Sequence, residues 1–203
     1  MMKQYFEIVD VLAREVLNLD GAETIEVEVT LDDGSVGRAC VSAKMVDGKA
    51  PSIAAQNVNT EIAEALVGLN AVEQSYIDGL LLEIDGDEGR RLGTNATLGA
   101  SFAVAKAAAE SAGLSLHNYI GGVNAKSIPE IVDETPEKRG MKWYPTLSAL
   151  LDDFAENRYE IICGGNTEDT IMAHVAVATN TKKMVARPNV RNELIRIREE
   201  LDG

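Results

Sequence analysis

The sequence predicts an α+β fold, in which an antiparallel three-stranded meander precedes a set of helices and a short strand-helix alternation closes the chain. Three observations carry this. Period-two alternation of apolar residues is confined to residues 8–41, helical periodicity takes over from residue 59, and beyond residue 145 short apolar runs alternate with helical stretches. The composition suits a globular chain: 203 residues, 45% hydrophobic, with 33 acidic against 19 basic side chains and a net charge of -14. A chain of this length buries roughly 70% of its unfolded surface and needs no disulfide to hold a core.

In residues 24–31, Ile25, Val27, Val29 and Leu31 alternate with Glu26, Glu28 and Thr30, the pattern of a half-buried strand. Asp33-Gly34 follows as a hairpin turn with positive φ expected at both positions, and residues 35–41 return as the next strand. Residues 8–17 supply the first strand. From there Asn59 or Thr60 is expected to cap a helix over residues 61–69, and Val72, Tyr76, Ile77, Leu80, Leu81 and Ile84 mark a second apolar stripe. Residues 95–112 are rich in alanine on nearly all sides and end before Gly113, which predicts a helix buried on most faces with a left-handed C-cap. Charges, Pro129, Pro136 and Gly140 make residues 126–145 a linker between a domain over 1–125 and a segment over 146–203. In that last segment helices over 147–157, 167–179 and 189–201 alternate with strands over 159–163 and 184–186, as in parallel βαβ units.

Several function classes drop out. No apolar run approaches the ~18 residues of a membrane span, and the start of the chain lacks a signal peptide's pattern. An acidic chain without a basic stripe repels phosphate backbones, so no nucleic-acid partner is expected. Cys40 and Cys163 lie far apart and outside any CxxC or Cys/His cluster, which points to a reducing, cytoplasmic setting without a zinc site.

The run from Leu92 to Ala109, LGTNATLGASFAVAKAAA, resembles the LGANAILGVSLAVAKAAA stretch of enolase. It continues through Gly113-Leu114 to Tyr119-Ile120-Gly121-Gly122, similar to that family's GLPLYRYIGG. Residues 13–17 with 21–29 resemble the AREILDSRGNPTVEVEV start, and residues 57–66 fit the same domain. Near the end, residues 167–180 look like the TEDTTIADLAVATN helix and residues 192–197 like NQLLRIEEEL. The resemblance covers roughly residues 1–125 and 145–203. It implies an enolase N-terminal-like domain joined to a truncated remnant of a (β/α)₈ barrel, a fold that typically needs about 250 residues.

Enolase chemistry removes a proton alpha to a carboxylate with a lysine base while two Mg²⁺ ions neutralise the enediolate. The resemblance implies that the acidic metal ligands sat on the omitted barrel strands. At the surviving positions, enolases read SHRSGETEDT where this chain reads residues 161–170, so the substrate-contacting His, Arg and Ser become Ile162, Cys163 and Gly164. The Ile-Lys of QIKTG aligns with Met184-Val185, which puts Val185 at the lysine, with Lys182 or Lys183 as shifted substitutes. The loop serine that helps bind the second metal becomes Val46, and residues 19–24 lack the arginine of SRGNPT. The expectation is a pseudoenzyme without catalytic residues, cofactor or metal, serving as a binding or assembly module. Its alternative is an Mg-dependent lyase of the family, converting 2-phosphoglycerate to phosphoenolpyruvate with groups lent by a partner subunit.

The residual candidate sites have simpler competitors. Gly164, Gly165, Asn166 and Thr167 open a helix whose amides can cradle an anion as a substrate-binding site, but Glu168 and Asp169 already fill that first turn with negative charge. Cys163 reads as a buried inert thiol, His117 as an exposed structural residue, and Asp32, Asp33, Asp85, Asp87 and Glu88 as turn chemistry rather than a cation site. Two barrel-derived strands cannot close a barrel and need a cover: the meander's own edge, a second copy, or a protein partner that completes the remnant. A homo-oligomer, in the first place a homodimer, is expected.

Overall fold

The computed structural model describes residues 5–42, 47–86, 91–132, 144–157, 161–163 and 169–203. Strands β1 (Ile8–Leu17), β2 (Glu23–Leu31) and β3 (Val36–Ser42) form the expected antiparallel meander in the order β1-β2-β3. The register places Val11, Val29 and Gly37 in one row and Ala13, Val27 and Ala39 in the next, so the apolar members of the alternation share a single face. The hairpin differs from expectation in its turn. Gly34 alone takes positive φ, at 89°, and its N–H donates to the Leu31 carbonyl while Leu31 N–H donates to Ser35. Asp32 and Asp33 thus occupy a three-residue loop with Gly34 as its bulge, and no left-handed aspartate is needed.

Helix α1 (Pro51–Asn57) starts eight residues before the expected cap, with proline in its first turn. It runs through a π-helical turn at Val58–Ile62 into α2 (Ala63–Leu66), so Asn59 and Thr60 lie inside a helix instead of capping one. The π turn has a use: Asn59 accepts a bond from Ala13 N–H at 2.6 Å and donates to Ala13 O at 3.0 Å, pairing with the edge of β1 as another strand would. α3 (Gln74–Asp85) follows, burying Ile77, Asp78, Leu81 and Asp85 while Tyr76 stays 58% exposed.

α4 (Thr94–Ser111) is the central helix, buried along nearly its whole length against β2 and β3. Small residues make this approach possible. A side chain at Gly37 would collide with the Ala103 carbonyl and Ala107 N–H, and one at Gly99 would meet Val27 at 2.8 Å. The helix ends as expected, with Gly113 at φ 66° and Leu114 N–H bonded to Ala109 O.

α5 (Leu116–Gly121) and a short 3-10 turn lead to β4 (Glu130–Ile131), a strand inside the segment expected to be only linker. α6 (Leu147–Asn157), β5 (Ile161–Cys163), α7 (Ile171–Ala178), β6 (Lys183–Val185) and α8 (Pro188–Asp202) complete the chain. The last strands form a parallel sheet in the order β4-β6-β5, with Ile131, Met184 and Ile162 in one row. The fold is therefore α+β, with an antiparallel sheet, a layer of helices and a small parallel sheet near the C-terminus. Among the described residues no helix is long and apolar enough to cross a membrane.

The meander does not cover the parallel sheet: the two are separate three-stranded sheets. Asn59 pairs with Ala13 at the edge of β1, while along β3 Val36 N–H donates to Glu110, Arg38 O accepts from Lys106 and Cys40 N–H donates to Asp169. The parallel sheet instead takes its third strand from residues 130–131, whose Glu130 N–H bonds Lys182 O at 2.9 Å.

Candidate functional site

The four residues proposed for an anion site, Gly164, Gly165, Asn166 and Thr167, lie outside the described residues, as do Val46, Asp87 and Glu88. The description resumes at Asp169, whose side chain is 3% exposed. Its Oδ1 accepts Ile171 N–H at 2.7 Å in an N-terminal cap of α7, and both of its oxygens accept from the Lys106 ammonium, at 2.8 and 2.7 Å. With Cys40 N–H at 3.0 Å, this one carboxylate fastens α7 to both α4 and β3. A residue expected to repel ligand phosphate is fully engaged in holding the fold.

The positions aligned with catalytic groups carry no such chemistry. Val185, at the lysine position, is a half-buried residue ending β6 next to the fully buried Met184, and the neighbouring Lys182 and Lys183 are turned to the surface. Cys163 ends β5. Residues 19–24 span the tight β1-β2 connection and the first two residues of β2, and in the turn Asn18 Oδ1 accepts the N–H groups of Asp20 and Ala22, each at 2.9 Å. Where the family motif has its arginine, Asp20 faces Arg187 in a two-point ion pair at 2.8 and 3.1 Å.

The remaining carboxylates behave as turn and capping groups. Asp33 Oδ1 accepts Ser35 N–H at 2.9 Å and its other oxygen accepts from Ser111, and these bonds hold its pKa below the usual carboxylate value, the Ser111 bond foremost. Asp85 is buried and accepts Leu92 N–H at 2.6 Å. Among the described residues no three His, Cys, Asp or Glu side chains converge so as to hold a metal ion, and the described donor set does not fit the paired Mg²⁺ ions of enolase chemistry.

Cys40 is a free, half-buried thiol. Burial first, and then the nearby Glu26 and Asp169 carboxylates, push it up to about 12, so it is a poor nucleophile at neutral pH. His117 departs from expectation: it is 0% exposed, not a surface residue. The segment after Gly113 folds into α5 against α7 and turns the imidazole inward onto His174.

Two features had little signal in the sequence. Asp78, 1% exposed, accepts from Ser101 Oγ at 2.6 Å, Gln74 Nε2 at 2.9 Å and Ser148 N–H at 2.8 Å, while Ser101 Oγ accepts Leu147 N–H at 2.9 Å. The start of α6 is thereby capped by side chains of α3 and α4 rather than by its own preceding residue alone. The second is a cleft of about 470 Å³ lined by Glu61, Glu64, Ala65, Glu83, Ile84, Gly86 and Arg91. Arg91 is spent within it, on Glu61 at 2.5 Å and the Ile84 carbonyl, leaving a net negative lining unsuited to a phosphoester.

A family model for the N-terminal domain of enolase matches residues 8–120, more than half of the chain. The chain belongs to the enolase family. The enolase N-terminal domain accounts for the meander, the interrupted helix α1-α2, α3, α4 and α5. The match ends at residue 120, before the parallel sheet begins. Asp78 and Ser101 on the domain side, and Lys106 toward Asp169, are among the residues by which the enolase N-terminal domain grips the segment that follows it.

Proposed function

We propose that this enolase-family chain has lost phosphopyruvate hydratase activity and serves as a binding or assembly module of the cytoplasm, self-associating as a homodimer or other homo-oligomer. The observation that carries the reading is the substitution at the barrel-derived positions: Ile162, Cys163, Gly164 and Val185 stand where the resemblance calls for groups that bind the substrate or move its proton. An alpha proton of a carboxylate is too weakly acidic to leave without cations and a base arranged around the developing charge. The acidic lining of the cleft between α2, α3 and Arg91 weighs in the same direction. Assembly is supported by the strand count: three parallel strands in the order β4-β6-β5 are too few to close a barrel, and the outward backbone groups of β4 and β5 are where a second copy or a partner protein would add strands.

The test is a spectrophotometric assay of the purified chain with Mg²⁺ and 2-phosphoglycerate, beside sedimentation at micromolar concentration. No phosphoenolpyruvate and an associated species are expected. Turnover abolished by EDTA would instead make the chain a lyase of the family, and a well-folded monomer would remove the assembly half of the reading.

A further inference from the structure

The chain contains two histidines, and the fold brings them face to face. His117 on α5 and His174 on α7 stack with ring centroids 5.7 Å apart and planes 17° from parallel, beneath α8. His117 is wholly buried and the His174 side chain is 14% exposed. His174 Nε2 lies 3.2 Å from Glu193 Oε1, and His117 Nε2 lies 3.4 Å from Ser115 Oγ and 3.9 Å from Glu200 Oε1. Neither Nδ1 atom has a partner among the described residues.

We propose that this stacked pair is an acid-sensitive latch on the C-terminal helix, in which uptake of a second proton by the pair detaches α8 from α5 and α7. The Glu193 carboxylate accepts only, so neutral His174 carries its hydrogen on Nε2 and keeps a bare lone pair on Nδ1; on His117 a hydrogen at Nε2 faces Ser115 Oγ and Glu200, whereas Nδ1 faces no acceptor among the described residues. That arrangement is tolerable in a buried site. Protonation puts a hydrogen on Nδ1 with nothing to receive it, and two imidazolium ions at this separation repel each other in a poorly solvated setting.

The charges facing the pair are few. From α8 come Glu193, shared with Arg196 at 2.7 Å, and Glu200, which is about half exposed. From α4, Lys106 and Glu110 are committed to Asp169 and β3. Glu193 satisfies one imidazolium through His174. Glu200, farther away and more solvated, compensates a charge on His117 poorly. Burial holds His117 below the ordinary imidazole value against the opposing pull of Glu200, with His174 adding the smallest contribution in the same direction as burial. Its neutral form therefore supports the fold in full above the unfolded value of ~6.5, and that support is withdrawn as pH falls below it. The element that can yield is α8, which is held by Val190, Leu194 and Ile197 along one face. Its displacement would open His117 to water and uncover that apolar face.

Hydrogen exchange of the full chain at pH 7.5 and 5.5, corrected for intrinsic exchange rates, tests this. Opening of residues 188–202 is expected to increase toward acid, by at most about tenfold per pH unit for one proton taken up, while α4 stays protected. His174→Gln, which removes the second charge, should flatten the response. Equal protection of α8 at both pH values would overturn the latch. So would acceleration of α4 in step with α8, or an undiminished response in the variant. Titration of the His117 C2 proton by NMR in the unaltered chain gives a check independent of any variant: its midpoint should fall below 6.5, and an ordinary midpoint would refute the latch.

Discussion

Replacing Asp78 with alanine should cost more than any surface change on the same helices, because three donors lose their acceptor at once. The carboxylate is 1% exposed and receives Ser148 N–H, Gln74 Nε2 and Ser101 Oγ within 2.6–2.9 Å. A buried donor stripped of its partner costs about 1–3 kcal/mol, and loss of a helix cap about 1 kcal/mol. Ser101 and Gln74 are neighbours that re-pair in part, since Gln74 Nε2 also reaches Ser101 Oγ at 3.1 Å, so the sum is not additive. The expected loss is about 3–5 kcal/mol, a large fraction of the stability of a typical domain. Urea unfolding followed by circular dichroism measures it, with hydrogen exchange of residues 147–157 locating the damage. Asp152→Ala, an exposed change on α6, should stay within about 0.5 kcal/mol and serves as the control. A loss below about 1 kcal/mol for Asp78→Ala, with α6 protection intact, would refute the claim that this carboxylate pins α6 to the enolase N-terminal domain.

Gly37→Ala should prevent β3 from seating on α4, because the added carbon meets the Ala103 carbonyl and Ala107 N–H; native-like circular dichroism with an unchanged melting temperature would contradict this. Glu193 is held down to about 2, chiefly by its bond to His174, so the stability it contributes is complete above pH 4.5 and is lost as pH falls from there toward 2; Glu193→Gln should flatten that acid limb in pH-dependent melting. With its thiol raised to about 12, Cys40 should alkylate at pH 8 on the order of a hundredfold more slowly in the folded chain than in urea, as read by peptide-resolved mass spectrometry, and equal rates would show that the thiol is not suppressed.

The meander was legible because its alternation is clean: Ile25, Val27, Val29 and Leu31 all sit on the buried face. The small residues of α4 likewise announced a helix enclosed on most sides. The start at Pro51 was harder to see. Its buried stripe of Pro51, Ala54, Ala55, Val58 and Ile62 has helical spacing, but alanines give that stripe little contrast with the exposed face. A strand of two residues such as β4 has no period at all, and only its pairing with β6 makes it visible.

The polar interior was the least legible part. Asp78 adjoins apolar Ile77 in α3, yet what makes it a cap is residue Ser148, seventy positions later. The burial of His117 follows from the docking of α5 on α7, a contact between segments that no local pattern relates. The substitutions at positions resembling the family's substrate contacts, Ile162, Cys163 and Gly164, by contrast rest on residue identity alone and need no tertiary information.

The measurement that bears most directly on the central claim is the absorbance of enolpyruvyl phosphate formed when the pure, folded chain meets saturating 2-phosphoglycerate and magnesium. A flat trace, unchanged by chelator, is the outcome required of a protein whose proton-abstracting machinery is gone. A rate proportional to protein concentration, extinguished by chelation and restored by magnesium, would contradict it.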